Sequence, residues 1–453
     1  MKKTIITKDF CVCMGRHQLT VLTFVLLMVL LPPPSHAAQY NYIDISNPFL
    51  RKTPIAVPAF KTLTDDSAAR TIAADTSTLL NDYLEFTGYF TIIDPGAFLE
   101  NPQTMDIKGN GIRYRNWTVI GAELLITCGV ASKGGRIEFD MRLFDTVKQQ
   151  LVVGKRYRGR VGDHRLVARR FCSEVVYAVT GNRGFFSSKI AFVSNGTGHK
   201  EIYLCDFDGS NIEQFTHYNS ISLFPDWSSD GRWIAYTTYA GKGPQIQIRH
   251  VHEKRLARLN KPGLQIAPAW VPGKFELAAS LSFSGDQEIY LLTGNGKVIK
   301  RLTNSVGIDV ESTWSPDGKR MAFVSKRAGN PQIFILDTDS GRVQRLTFEG
   351  RYNTQPSWSP KGDRIAYSAM NNGVLNIFTI NPDGGEPLQL TDSQGNNEAP
   401  AWSPDGSLIA FSSTREGKSR LYVMTAYGTD QKRLLTLPGE QTNPKWSMNI
   451  INP

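Results

Sequence analysis

The sequence predicts a mainly β protein in which a six-bladed β-propeller is preceded by a smaller α/β domain. Six of the eight tryptophans stand at 227, 270, 314, 358, 402 and 446, separated by 43, 44, 44, 44 and 44 residues. The text around each of them recurs, whereas the stretch before the first shows helix and strand patterns without any repeat. A period of about 40 to 50 residues with four short strands per unit is the sequence form of a propeller blade.

The chain opens with an address. Lys2, Lys3, Lys8 and Arg16 precede an almost uninterrupted apolar run from Leu19 to Leu31, followed by Pro32-Pro33-Pro34-Ser35-His36-Ala37-Ala38. That run is too short to span about 30 Å of bilayer, but it suits the core of a secretory signal peptide. Residues 1–37 are therefore expected to be a signal peptide cleaved after Ala37 or Ala38. An uncleaved anchor is the alternative, and Met14 would serve as a start codon as well as Met1. Cys11 and Cys13 leave with the leader. Cys128, Cys172 and Cys205 remain, too few for a disulfide framework in an exported chain of this size. Cys128 and Cys172 could pair or stay as buried thiols.

The composition has 41% hydrophobic and 20% charged residues, with 39 Gly and 24 Pro among 453 residues, which excludes global disorder and a polytopic membrane protein. The net charge of +10 falls to +7 once the leader is removed. No basic tract interleaved with aromatics accompanies it, so the charge does not point to nucleic acid.

Residues 38–182 read as the α/β domain. A strand is expected over 54–60, a helix over 66–86 from the apolar spacing of Ile72, Leu79, Leu80, Tyr83 and Leu84, and a strand over 89–93 after the stop at Gly88. Three strands follow at 123–131, 136–144 and 151–158, then a helix from 163 to about 179. Gly181-Asn182-Arg183-Gly184 is the expected joint, too short to let the two parts move freely.

Residues 185–453 read as the propeller. In each unit the first strand ends at the tryptophan, and Ser-Pro-Asp-Gly makes a tight turn in which Pro fixes φ and Gly supplies φ > 0. The second strand carries alanine eight places after the tryptophan, at Ala235, Ala278, Ala322, Ala366 and Ala410. Third and fourth strands follow, as at Ile333-Phe334-Ile335-Leu336 and Val343-Gln344-Arg345-Leu346. The last unit holds only a first strand, while 189–193, 201–206 and 212–216 supply a second, third and fourth without a first. The carboxy-terminal strand is therefore expected to pair with the first propeller segment and close the ring.

Catalytic patterns are missing. There is no Gly-x-Ser-x-Gly, and Gly417-Lys418-Ser419 lacks the upstream glycine of a phosphate-binding loop. His250 and His252 could share one strand face but have no evident third ligand, and are read as solvent-facing. Asp206-Phe207-Asp208-Gly209-Ser210-Asn211 imitates the start of a calcium loop but lacks its closing glutamate, and is read as a hairpin. No cofactor or metal is expected. The tryptophans are read as blade-to-blade packing.

One further position is polar in all six repeats. Five residues before each tryptophan stand Ser222, Gln265, Asp309, Asn353, Asn397 and Gln441. Propeller geometry places them where the innermost strands begin, so they are expected to ring one mouth of the central channel. Such a ring suits capture of a peptide or loop on a rigid scaffold rather than bond-breaking.

Across its mature length the chain resembles the TolB family, the periplasmic components of the Tol-Pal system. The resemblance is carried by Ala-Trp-Ser-Pro-Asp-Gly at 401–406, Trp-Ser-Pro-Asp-Gly at 314–318, the joint Val179-Thr180-Gly181-Asn182-Arg183-Gly184-Phe185 with Lys189-Ile190-Ala191-Phe192-Val193, and Pro444-Lys445-Trp446-Ser447. It departs at Trp270-Val271-Pro272-Gly273-Lys274 and at Ser312, where the other repeats have Pro.

The resemblance implies a non-catalytic, monomeric scaffold, peripheral to membranes and acting in outer-membrane integrity and cell division. It implies binding of the peptidoglycan-associated lipoprotein Pal at the propeller mouth. It also implies contact with the inner-membrane protein TolA through Gln39, Tyr40, Asn41, Tyr42, Ile43, Asp44 and Ile45, a segment able to add as a strand to a partner sheet. The rival reading is an exported propeller enzyme of lyase or lactonase type acting at the channel.

Overall fold

Six four-stranded antiparallel sheets follow one another in the chain, as the tryptophan spacing requires. The computed structural model describes residues 51–392 and 395–449, so the leader and the segment 39–45 lie outside the described residues. Blade 1 runs through Ser222–Trp227, Trp233–Thr238, Gln245–His250 and Leu256–Arg258. Blades 2 to 5 repeat this plan, with innermost strands Gln265–Trp270, Asp309–Trp314, Asn353–Trp358 and Asn397–Trp402. Blade 6 joins Gln441–Trp446 to Lys189–Ser194, Glu201–Asp206 and Glu213–Gln214, with Gln441 opposite Ser194 and Trp446 opposite Ile190. The ring thus closes through hydrogen bonds between segments about 250 residues apart.

The blades are joined by buried apolar seams. Ala235, Ile246 and Ile248 of blade 1 pack with Trp270, Leu277 and Tyr290 of blade 2, and Ala366 and Ile377 of blade 4 pack with Trp402, Ile409 and Phe411 of blade 5. Three of the repeat tryptophans also bond across the seams. The indole N–H of Trp227 donates to the Lys445 carbonyl at 3.1 Å, that of Trp314 to Ala269 at 3.3 Å and that of Trp402 to Ser357 at 3.0 Å. A small residue opposite a flat ring lets two sheets approach without a void. The Ser-Pro-Asp-Gly turns take their expected form. Gly406 N–H donates to the Ser403 carbonyl at 2.9 Å with φ 67°, and Ser403 Oγ accepts from Leu408 N–H.

The α/β domain comprises β1 (Thr53–Ala56), β2 (Lys61–Thr62), α1 (Ser67–Phe86), β3 (Phe90–Ile92), α2 (Tyr114–Val119), β4 (Leu124–Lys133), β5 (Arg136–Asp145), β6 (Gln150–Arg160) and α3 (His164–Thr180). Asp66 caps α1 by accepting from Ala68 N–H at 3.1 Å, and Gly181 ends α3 in the left-handed region. The sheet order is β3-β1-β4-β5-β6, with β2 on β4. Helices α1 and α3 cover one sheet face, where Ile126, Phe139 and Met141 meet Leu80, Phe171 and Val175. The short helix α2 is an addition to the sequence reading; Trp117 buries it against Leu125 and Phe144 on the other face.

The two parts share one core. Tyr83 and Phe86 of α1 pack edge-on against Phe207, and Phe185 of the joint packs against Trp446. Charge reinforces the contact, because Arg169 of α3 meets Asp206 at 2.6 Å and Lys52 meets Asp430 at 2.9 Å. Cys128, Cys172 and Cys205 are free and buried, and burial pushes their thiols up. Among the described residues no helix is long and apolar enough to cross a membrane.

Candidate partner-binding site

The six polar residues that precede the tryptophans by five places do not present themselves at the channel mouth. Ser222, Gln265, Asp309, Asn353, Asn397 and Gln441 are between 0 and 3% exposed. Each begins an innermost strand, but its side chain turns into a seam. Gln332 Oε1 accepts from Asn353 Nδ2 at 2.9 Å and from Thr347 Oγ1 at 2.7 Å. Asn376 Oδ1 accepts from Asn397 Nδ2 at 3.3 Å and from Thr391 Oγ1 at 3.0 Å. Asp309 accepts from Arg327 at 2.8 Å and Ser305 Oγ at 3.2 Å, Ser222 Oγ lies beside Glu201 and Thr238, and Gln265 accepts from Ile246 N–H. Gln441 donates to the carbonyls of Leu437, Pro438 and Gly439. The chain turns from one blade into the next here, and the buried polar groups stranded by that turn need a partner. A polar residue at all six positions follows from that need, and the six act as latches rather than as an open ring.

The channel wall is made two and three places before each tryptophan. Phe224, Ala267, Glu311, Gln355, Ala399 and Asn443 all have φ between 50° and 55°, the left-handed region that non-glycine residues seldom adopt. Each lies within the register shift of its innermost strand, so the strand bulges. With the neighbouring prolines these residues line a cavity of about 90 Å³. Side chains there serve the next blade: Glu311 Oε2 accepts from Gln355 N–H and Gln355 Oε1 from Ala399 N–H, both at 2.9 Å. Burial pushes the carboxyls of Glu311 and Glu398 up. A wider cavity of about 380 Å³, lined by all six tryptophans and their turns, opens on the side where Tyr89 of the α/β domain lies near Asp405 and Ser407.

The opposite rim, where the innermost strands begin, carries exposed apolar side chains. Val306 is 90% and Phe348 71% exposed, joined by Ile221, Ile308, Tyr352 and Met370. Sequence reasoning missed them, although a signal existed. The residue directly before the latch is Ile221, Leu264, Ile308 or Tyr352 in four repeats, apolar where a plain surface loop would be polar.

Two smaller readings change. His250 is buried rather than solvent-facing, because its Nδ1 accepts from Glu253 N–H at 2.9 Å and its ring meets Trp233 edge-on. The Asp206 hairpin forms as read, with Gly209 N–H donating to the Asp206 carbonyl at 2.9 Å, but its carboxylates anchor the α/β domain. Among the described residues no three His, Cys, Asp or Glu side chains group so as to hold a metal ion.

Fold and rim together define a class: a six-bladed propeller with an α/β domain fused through a common core and an apolar rim at the start of its innermost strands. A profile described as the TolB beta propeller domain matches residues 176–450, and one described as the TolB amino-terminal domain matches residues 41–152. The chain belongs to the TolB family. It is 57% identical over 281 residues to the Tol-Pal system protein TolB of Desulfosudis oleivorans, covering 62% of this chain and 64% of that one. It is 44% identical over 291 residues to a TolB homolog of Chlorobium chlorochromatii, covering 64% of this chain and 65% of that one. The chain thus spans just under two thirds of the length of these relatives. The crystal structure of TolB from Acinetobacter baumannii superposes with a TM-score of 0.74 at 26% identity, over 88% of this chain and 97% of that one.

Proposed function

We propose that this protein is a non-catalytic periplasmic scaffold of the Tol-Pal system, exported by a cleaved signal peptide and acting as a monomer. The observation that carries this reading is its membership of the TolB family, with a relative at 57% identity named as a Tol-Pal system protein. In this reading a Pal-like lipoprotein docks on the rim around Val306, Ile308, Phe348 and Tyr352, while the six latches hold that rim in shape. A TolA-like inner-membrane protein takes the segment Gln39–Ile45. Together the two contacts couple the inner membrane to the outer membrane and peptidoglycan, supporting envelope integrity and constriction. Apolar side chains on loops held by a rigid ring suit docking, since little order is lost when a partner binds.

The test is capture of the purified periplasmic parts of both partners by the mature chain and by a version lacking residues 38–46. The shortened chain should lose the TolA-like partner and keep the Pal-like one. Val306→Asp should weaken the Pal-like partner at least tenfold with an unchanged melting temperature. Failure of either purified partner to bind the intact chain at micromolar concentration would overturn this reading.

A further inference from the structure

A second surface of different chemistry lies on the α/β domain. Strand β6 is the outermost strand of its sheet, eleven residues long, with β5 on one side and, among the described residues, no strand on the other. An edge of this kind presents a row of backbone donors and acceptors ready to pair with another extended chain. We propose that the outer edge of β6 is a docking site for an extended acidic segment of a partner protein, which adds to the sheet as a further strand.

The charge pattern selects the partner. On the face away from α1 and α3, Arg136 stands opposite Arg160, Glu138 opposite Arg158 and Asp140 opposite Arg156. Two carboxylates serve three guanidinium groups there: Glu138 meets Arg158 at 2.8 Å and Arg156 at 3.4 Å, and Asp140 meets Arg142 at 2.9 Å. No acid lies within ion-pair reach of Arg136 or Arg160 among the described residues, so two like charges face each other directly. Like charges placed opposite one another weaken a sheet, and incoming carboxylates would relieve them. Arginine also offers a planar fork that accepts a carboxylate through two hydrogen bonds.

Charged edges commonly serve to repel other strands. That role does not explain the apolar half of β6, where Leu151 and Val152 remain exposed on the same strand. Apolar residues at one end and arginines at the other fit a polypeptide that alternates acidic and apolar side chains. A lipid surface would engage the arginines but leave the backbone edge unused. A second copy of the chain would bring a second set of arginines onto one continuous sheet.

The probe is a fluorescein-labelled eight-residue peptide alternating Glu with Val and Thr, titrated into the full chain by fluorescence anisotropy. Binding is expected, with at least a fivefold slowing of hydrogen exchange at β6 amides and none at the propeller rim. The combined Arg156→Glu, Arg158→Glu and Arg160→Glu variant should lose binding at least tenfold. Arg160→Gln, which removes a group with no ion pair, should lose about threefold and guards against misfolding of the triple variant. A peptide methylated on alternate backbone nitrogens should bind at least tenfold more weakly. Equal binding of the methylated peptide, binding undiminished in both arginine variants, protection appearing away from β6, or binding only to phosphatidylglycerol vesicles would each overturn the proposal.

Discussion

Two seams of the ring occupy the same place in the repeat and solve the same problem with different chemistry. Between blades 3 and 4 the latch is a pair of amides, Gln332 with Asn353, and among the described residues no guanidinium bonds to either side chain. Between blades 2 and 3 it is a pair of carboxylates, Glu288 and Asp309, both fully buried and held by Arg301 at 2.7 Å and Arg327 at 2.8 Å. The seam between blades 4 and 5 is intermediate: the amide of Asn397 accepts from Arg415 at 3.0 Å, and Arg415 also donates to Ser413 as Arg327 does to Ser325. The turn from one blade to the next therefore fixes only that a hydrogen-bonding group be present. It does not fix its charge, and a charged latch needs its own counter-ion because a lone buried charge is far more costly than a lone buried amide.

Breaking the charged latch should have the largest effect. Asp309→Ala strands the half-buried Arg327 and should cost about 3 kcal/mol in urea denaturation, against about 1 to 2 kcal/mol for Asn353→Ala. Asp309→Asn should cost much less than Asp309→Ala, because it reproduces the arrangement of Asn397 with Arg415; equal losses would show that charge, not the hydrogen bond, holds this seam.

The same pair should make stability depend on pH, with opposing slopes. Burial raises the carboxyl of Asp309, so the stability of its protonated form is complete below the ordinary aspartate range and is lost as pH rises through the folded value. Glu288 is lowered, by hydrogen bonds from Ser305, Thr303 and Arg301 that outweigh its burial. Its contribution is present above the ordinary glutamate range and is lost as pH falls through the folded value. Stability of Asp309→Asn relative to the parent should therefore improve as pH rises above the ordinary carboxylate value of about 4. A difference that stays flat across this range would remove Asp309 as the titrating group.

The smallest effect sharpens the comparison along another row. Thr237, Ser368 and Ser412 accept from Ala267, Ala399 and Asn443 N–H at 3.1, 3.0 and 3.2 Å. Ser280 holds the same place on its blade, yet among the described residues its buried hydroxyl has no hydrogen-bond partner. Ser280→Ala should change the unfolding free energy by less than about 0.5 kcal/mol, whereas Ser412→Ala should cost about 1 kcal/mol. A larger loss at Ser280 would reveal a partner there.

The propeller was legible because its cause is periodic. Each tryptophan must face a small residue on the preceding blade, so packing writes itself into the sequence every 44 residues. The α/β elements were readable from apolar spacing, except α2, which is held by the buried Trp117, and the strand expected over 54–60, which ends at Ala56 and is followed by the separate short strand Lys61–Thr62 on β4. The latches show where such reading stops. Sequence reported that Asn353 and its counterparts are polar and begin innermost strands, but a polar side chain at a strand start can face solvent or a seam. Only the position of Gln332, 21 residues earlier on another strand, decides between them. The anchoring role of Asp206 was hidden for a similar reason, since Arg169 belongs to a different part of the fold.

The left-handed residues of the innermost strands carry a consequence for redesign. Their backbone geometry is set by the bulge, and none of the six is β-branched or glycine. Phe, Ala, Glu, Gln and Asn all occupy the position within one molecule, and each projects toward the channel. Glu311 and Gln355 also hold the next blade through backbone N–H groups, so the bore of the channel can be widened, narrowed or recharged at Phe224, Ala267, Ala399 and Asn443 without removing those two inter-blade hydrogen bonds.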